Sequence, residues 1–77
     1  MQLKSNIARR LGKRAASYLE DHAIDVGRHG QRSVILADRY ETPDGVVRTL
    51  TRRYGRPRTI DRGETAYWSI PASDLLT

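Results

Sequence analysis

The sequence predicts an α+β domain, one N-terminal amphipathic helix packed on a three-stranded antiparallel sheet (α-β-β-β) and closed by a short C-terminal helical turn. Three observations carry that prediction. Apolar residues recur at helical spacing through "SNIARRLGKRAASYLEDHAI". A turn signal, "TPDG", separates two runs with β-branched residues, "SVILADRYE" and "VVRTLTRRY". A third run, "TAYWSI", stops at Pro71 and is followed by "ASDLL".

Each element has local reasons. Ile7, Leu11, Ala15, Tyr18, Leu19 and His22 would line one face of the first helix. Ser5 stands where an N-cap belongs. Gly12 weakens the helix by about 1 kcal/mol relative to alanine, and its missing side chain would let another group approach. "DVGRHGQR" has two glycines in polar company and is expected to be a loop. In "TPDG", Pro43 suits the second turn position and Gly45 the fourth, so the flanking runs would pair as a hairpin. "RTI" would pair with "TAYWSI" across "DRGE", and Ser73 would cap the closing turn. On this reading the helix covers one face of the sheet. The other face would be more polar and carry some of Arg39, Arg48, Arg52 and Arg53.

Seventy-seven residues, 1–77, make one domain. A chain this short buries only about 60% of its unfolded surface, so the core is small. Its expected members are Ile7, Leu11, Tyr18, Leu19, Ile24, Val26, Val34, Ile35, Leu36, Val46, Val47, Leu50, Ile60, Tyr67, Trp68, Ile70, Leu75 and Leu76. No cysteine is present, so neither a disulfide nor a thiolate zinc site supplements that core. Pairing as a homodimer, or docking on a large partner, would bury more apolar surface, although many domains of this size fold alone. The absence of cysteine fits a cytoplasmic setting. No apolar run approaches the roughly 18 residues that span a bilayer, and the first residues lack the apolar segment of a signal peptide. A membrane partner is therefore not expected.

The formal net charge is +5, which favours an anionic partner. The charge is grouped. Lys4, Arg9, Arg10, Lys13 and Arg14 stand in an acid-free stretch over residues 1–19, and Arg48, Arg52, Arg53, Arg56 and Arg58 in another over residues 46–58. Twelve of the fourteen basic residues are arginine. A guanidinium forks onto phosphates and carboxylates and stacks on bases, as an ammonium cannot. A GC-rich genome would also raise the arginine count, but it would not group the charges. The first block also lies at the start of the helix, with Glu20 and Asp21 near its end. That is opposite to what the helix dipole favours.

Within the second block, Gly55, Arg56 and Pro57 resemble the Arg-Gly-Arg-Pro core of an AT-hook, flanked by Arg52, Arg53 and Arg58. Tyr54 stands where the first core arginine would be. The resemblance implies an extended arm laid in the narrow minor groove of A·T-rich DNA. "YWSIPASDLL" is similar to the endings of small excisionases and MerR-like helix-turn-helix proteins, although the preceding residues read as a hairpin rather than as two helices. The predicted element order is also that of double-stranded-RNA-binding domains, an analogy of architecture alone.

The expected function is thus a small non-catalytic binding protein, with nucleic acid, DNA or RNA, as the first candidate partner. Arg9, Arg10, Lys13, Arg14, Arg48, Arg52, Arg53, Arg56 and Arg58 would contact phosphates, with Tyr54 or Trp68 available for stacking on bases. The alternative is a small regulator or inhibitor of the kind encoded by phages and mobile elements, anti-CRISPR-like in type. Its arginines would meet an acidic protein surface. No catalytic residues or cofactor are expected, because the sequence carries no phosphate loop, nucleophile elbow or paired-carboxylate motif. His22, Asp25 and His29 fit no compact metal-ligand set, and no metal is expected.

Overall fold

The computed structural model describes residues 2–76, the side chain of His29 excepted. Helices α1 (Ile7–Leu11) and α2 (Lys13–His22) lead into strands β1 (Ile24–His29) and β2 (Arg32–Asp38). Helix α3 (Asp44–Tyr54), β3 (Arg58–Ile60), a 3-10 turn (Asp61–Gly63), β4 (Thr65–Pro71) and α4 (Ala72–Leu75) complete the chain. The strands form one antiparallel sheet in the order β1-β2-β4-β3. The class is α+β as predicted, with four strands rather than three and four helices among the described residues.

The long first helix is two helices. Gly12 breaks it at φ 92°, a left-handed value that L side chains rarely adopt. Its N–H still bonds to the Ala8 carbonyl and its own carbonyl accepts from Ala16, so both helix ends are satisfied across the break. Ser5 lies in the turn before α1, whose N-cap residue is Asn6, and no side-chain cap bond forms there.

Two expectations are overturned. The run "VVRTLTRRY" is not a strand but most of α3. Val46 and Leu50, four residues apart, are fully buried, and Val47 and Tyr54 pack against the core beside them. That helical stripe outweighs the strand preference of Val46, Val47, Thr49 and Thr51, an override expected where tertiary packing decides. Pro43 precedes the helix and Asp44 lies in its first turn, where a negative charge is favourable. The hairpin partner of β2 is instead β1, formed from residues whose glycines and polar company suggest a loop. The register shifts between Asp25 and Gly27, where Gly27 has φ 72° and its N–H bonds to the Asp25 carboxylate at 2.8 Å. This bulge interrupts the alternation that marks a strand.

The pairing of "RTI" with "TAYWSI" and the helical turn in "ASDLL" are both present, although α4 follows Pro71 and gains no side-chain cap from Ser73. Ile35 pairs with Ile70 and Ala37 with Trp68, so these four point to one side of the sheet. They join Ile7, Leu11, Leu19, Val46, Leu50 and Leu75 in the core between sheet and helices. Ala15, Ala16, Ala37, Ala66 and Ala72 are buried too, small residues that the expected core omitted. Six expected members lie outside it, on the opposite face: Val34, Leu36 and Tyr67 are buried or half-buried there, and Ile24, Val26 and Ile60 are 64%, 45% and 48% exposed. The face opposite the helices is therefore apolar, where a polar one was predicted, and Arg48, Arg52 and Arg53 lie on α3 instead.

Candidate nucleic-acid interface

The topology brings part of the two basic blocks together. Helices α2 and α3 pack side by side. Near the start of α3 the Tyr18 hydroxyl accepts a hydrogen bond from buried Thr42 at 2.7 Å and donates to the Asp38 carbonyl at 3.2 Å. One turn earlier in α2, Arg14 reaches the α3 backbone at Gly45, and so does Arg48 from one turn further along α3. Their guanidinium nitrogens lie 3.8 and 4.0 Å from the point where a Cβ on Gly45 would stand. No more than about 8 Å separates the two, which is one screening length at physiological salt. Two cations from blocks more than thirty residues apart thus meet at one place, with Asp44 the acid in the same turn.

The other members of the first block lie around this point or beyond it. Lys13 is exposed in the first turn of α2, which contains no acid, and Arg9 and Arg10 are exposed on α1. Their placement has no dipolar rationale, because the N-terminal end of α2 is itself positive. Arg52 and Arg53 differ: they occupy the last turn of α3, where the dipole stabilises cations.

Arg56 and Arg58 leave the helical layer. With Arg32 of β2 they line a cavity of about 240 Å³ at the sheet edge, beside Tyr54 and Tyr67. Arg32 is not among the residues the sequence singles out, since one arginine at a strand start carries no signal. The second block is therefore split between two places.

The aromatic residues are also redistributed. Trp68 is only 2% exposed and its indole N–H donates to the Gly55 carbonyl at 3.0 Å, so it is unavailable for stacking on a base. Tyr54 is half-buried against the core. Burial pushes its hydroxyl pKa above 10.0, with the Asp74 carboxylate adding to the rise, while the hydrogen bond and charge of Arg53 oppose it. The ring on the open sheet face is Tyr67, the cross-strand partner of Arg58.

The AT-hook resemblance does not survive in the backbone. Arg52 and Arg53 are wound into α3, Arg58 begins β3, and only Gly55–Pro57 lies outside regular structure. An arm that must lie extended in a groove is not present. "YWSIPASDLL" is β4 followed by α4, and α3 interrupts the strand order that a double-stranded-RNA-binding domain would need. Among the described residues no group of three His, Cys, Asp or Glu is placed to hold a metal ion, and the side chain of His29 lies outside them. No helix among the described residues is long and apolar enough to cross a membrane.

Together these features define a two-sided α+β domain, basic along its helices and apolar on its open sheet face. No protein-family model, curated protein or solved structure matches the chain.

Proposed function

We propose that this chain is a non-catalytic nucleic-acid-binding protein that contacts the phosphate backbone through its helical side. The observation that carries the reading is the convergence of Arg14 and Arg48 above Gly45. Like charges held this close repel each other, and a phosphate between them relieves the repulsion. Lys13 adds charge at the same end of α2, where the helix dipole also favours an anion. Arg9, Arg10, Arg52 and Arg53 extend the surface on either side. Trp68 is buried and Tyr54 half-buried, which suits backbone contact rather than base reading.

Fluorescence anisotropy with duplex DNA, single-stranded DNA and RNA, each over a series of salt concentrations, tests this. Binding is expected to weaken linearly on a log–log salt plot. The double variant Arg14→Gln/Arg48→Gln should bind all sequences more weakly and lower the slope by about 2. Absence of binding to any of the three at low salt would sink the reading and leave an acidic protein surface as the partner to seek.

A further inference from the structure

Among the described residues no layer covers the open face of the sheet. Ile24 and Val26 of β1, Leu36 of β2, Ile60 of β3 and Tyr67 of β4 line one groove there. Isolated surface aliphatics are ordinary, but a contiguous apolar patch on a small domain marks a contact surface.

The charges around this patch are polarised. Arg32, at the start of β2, lines the edge cavity with Arg56 and Arg58, and no acid lines it with them. Asp38, at the end of β2, and Glu41 just beyond it line the groove, together with Arg58, which lies level with Asp38 across Tyr67. Six residues of strand put Arg32 and Asp38 about 20 Å apart. Along β2 the face thus runs from Arg32, through an apolar middle, to Asp38 and Glu41.

Such a face is complementary to itself. A two-fold axis lying in the plane of the face, across the strands, sets Arg32 of one copy over Asp38 and Glu41 of the other. The apolar middles then meet. This is the isologous arrangement of a symmetric dimer, and it gives two sheets packed face to face with their strands aligned. We propose that the open sheet face is the interface of a homodimer of this chain, leaving the two helical sides pointing outward. The proposal does not depend on nucleic-acid binding, since Arg14 and Arg48 lie on the other side of the molecule.

Sedimentation velocity on the full chain, from micromolar to millimolar concentration, provides the test, with circular dichroism to confirm folding. The native chain should dimerise. Ile24→Glu, on a largely exposed side chain, should remain folded and raise the dissociation constant about thirtyfold or more. Ile60→Glu is the second variant should the first fail to fold. Arg32→Glu and Glu41→Arg should each weaken the dimer, and the double variant should restore it, since only pairing between the two ends predicts rescue. A native chain that stays monomeric at millimolar concentration overturns the proposal. So does a dimer indifferent to Ile24→Glu and Ile60→Glu, or one that the charge swap does not rescue. Arg14→Gln/Arg48→Gln should leave the dimer intact while weakening nucleic-acid binding, so the two readings fail separately.

Discussion

Ile35 and Leu36 are neighbours in β2, yet they belong to different surfaces. Ile35 is fully buried against the helices, and Leu36 is half-buried on the open face. Chemically they are near equals, and nothing in "SVILAD" ranks them. What separates them is the pleat, which sends alternate side chains to opposite faces, and the helices, which cover only one face. The helix-covered face is where the chain gains its stability, and the open face is apolar surface left for something else.

Truncating each residue to alanine is the sharpest way to break this comparison. Ile35→Ala should cost about 2–5 kcal/mol, the range for a buried aliphatic that leaves a cavity. A domain of this length has only about 4–12 kcal/mol in total, so the variant should lie near its unfolding threshold. Leu36→Ala in the monomeric Ile24→Glu background should cost less than half as much. Urea denaturation of both measures the difference, and equal losses would mean that the two faces are equally covered.

The same contrast explains what was legible in the sequence. The amphipathic helical segment, the β2 run and the β3–β4 pairing each follow a local period, and each is present. The runs that mislead are those where local preference and packing disagree. "VVRTLTRRY" carries strand-favouring residues, but its Val46–Leu50–Tyr54 spacing is helical, and the core rewards the spacing. β1 is hidden because the bulge at Gly27 breaks its alternation. For the candidate site, the two basic blocks are visible as charge runs. Their meeting at Gly45 is not, because it depends on α2 and α3 lying side by side, and the residues of α3 favour a strand locally. Tyr67, expected in the core, stands beside Arg58 through sheet register, and Arg32 joins Arg58 only by lining the same cavity.

Gly12 sharpens the comparison between local preference and structure on the helical side. Helix propensity alone says that Gly12→Ala should stabilise by about 1 kcal/mol. The backbone says the reverse, because a φ of 92° costs an L residue about 1–2 kcal/mol. Open space surrounds the point where a Cβ on Gly12 would stand, so conformation and not collision decides the sign. The expected outcome is a lower thermal midpoint. A higher midpoint would mean that α1 and α2 can join into one helix.

Thr42→Val addresses the seam between α2 and the start of α3. The substitution keeps the shape and removes the hydroxyl that contacts both the Tyr18 hydroxyl and the Asp38 carbonyl. A loss of about 1 kcal/mol is expected, because the single hydroxyl proton serves one acceptor at a time and the Tyr18 hydroxyl can still donate to the Asp38 carbonyl. The same variant should loosen the registration of Arg14 with Arg48, so its nucleic-acid salt slope should fall slightly along with its stability.

Tyr54 joins the two sides of the molecule, packing on the core while lining the edge cavity with Arg56 and Arg58. Its effect is the smallest at neutral pH and emerges only in alkali. The folded-state pKa lies above 10.0 because burial, and then Asp74, disfavour the phenolate. Between the unfolded and folded values the unfolded chain has lost this proton and the folded chain has kept it. The contribution of Tyr54 is thus fully present below about pH 10 and is lost as pH rises through the folded value. Stability should fall by no more than about 1.4 kcal/mol per pH unit on this account. Tyr54→Phe removes the titration, so its urea midpoint should fall less steeply than that of the native chain between about pH 9 and 11. Parallel curves would show that the hydroxyl is hydrated or that Arg53 offsets the effect of burial.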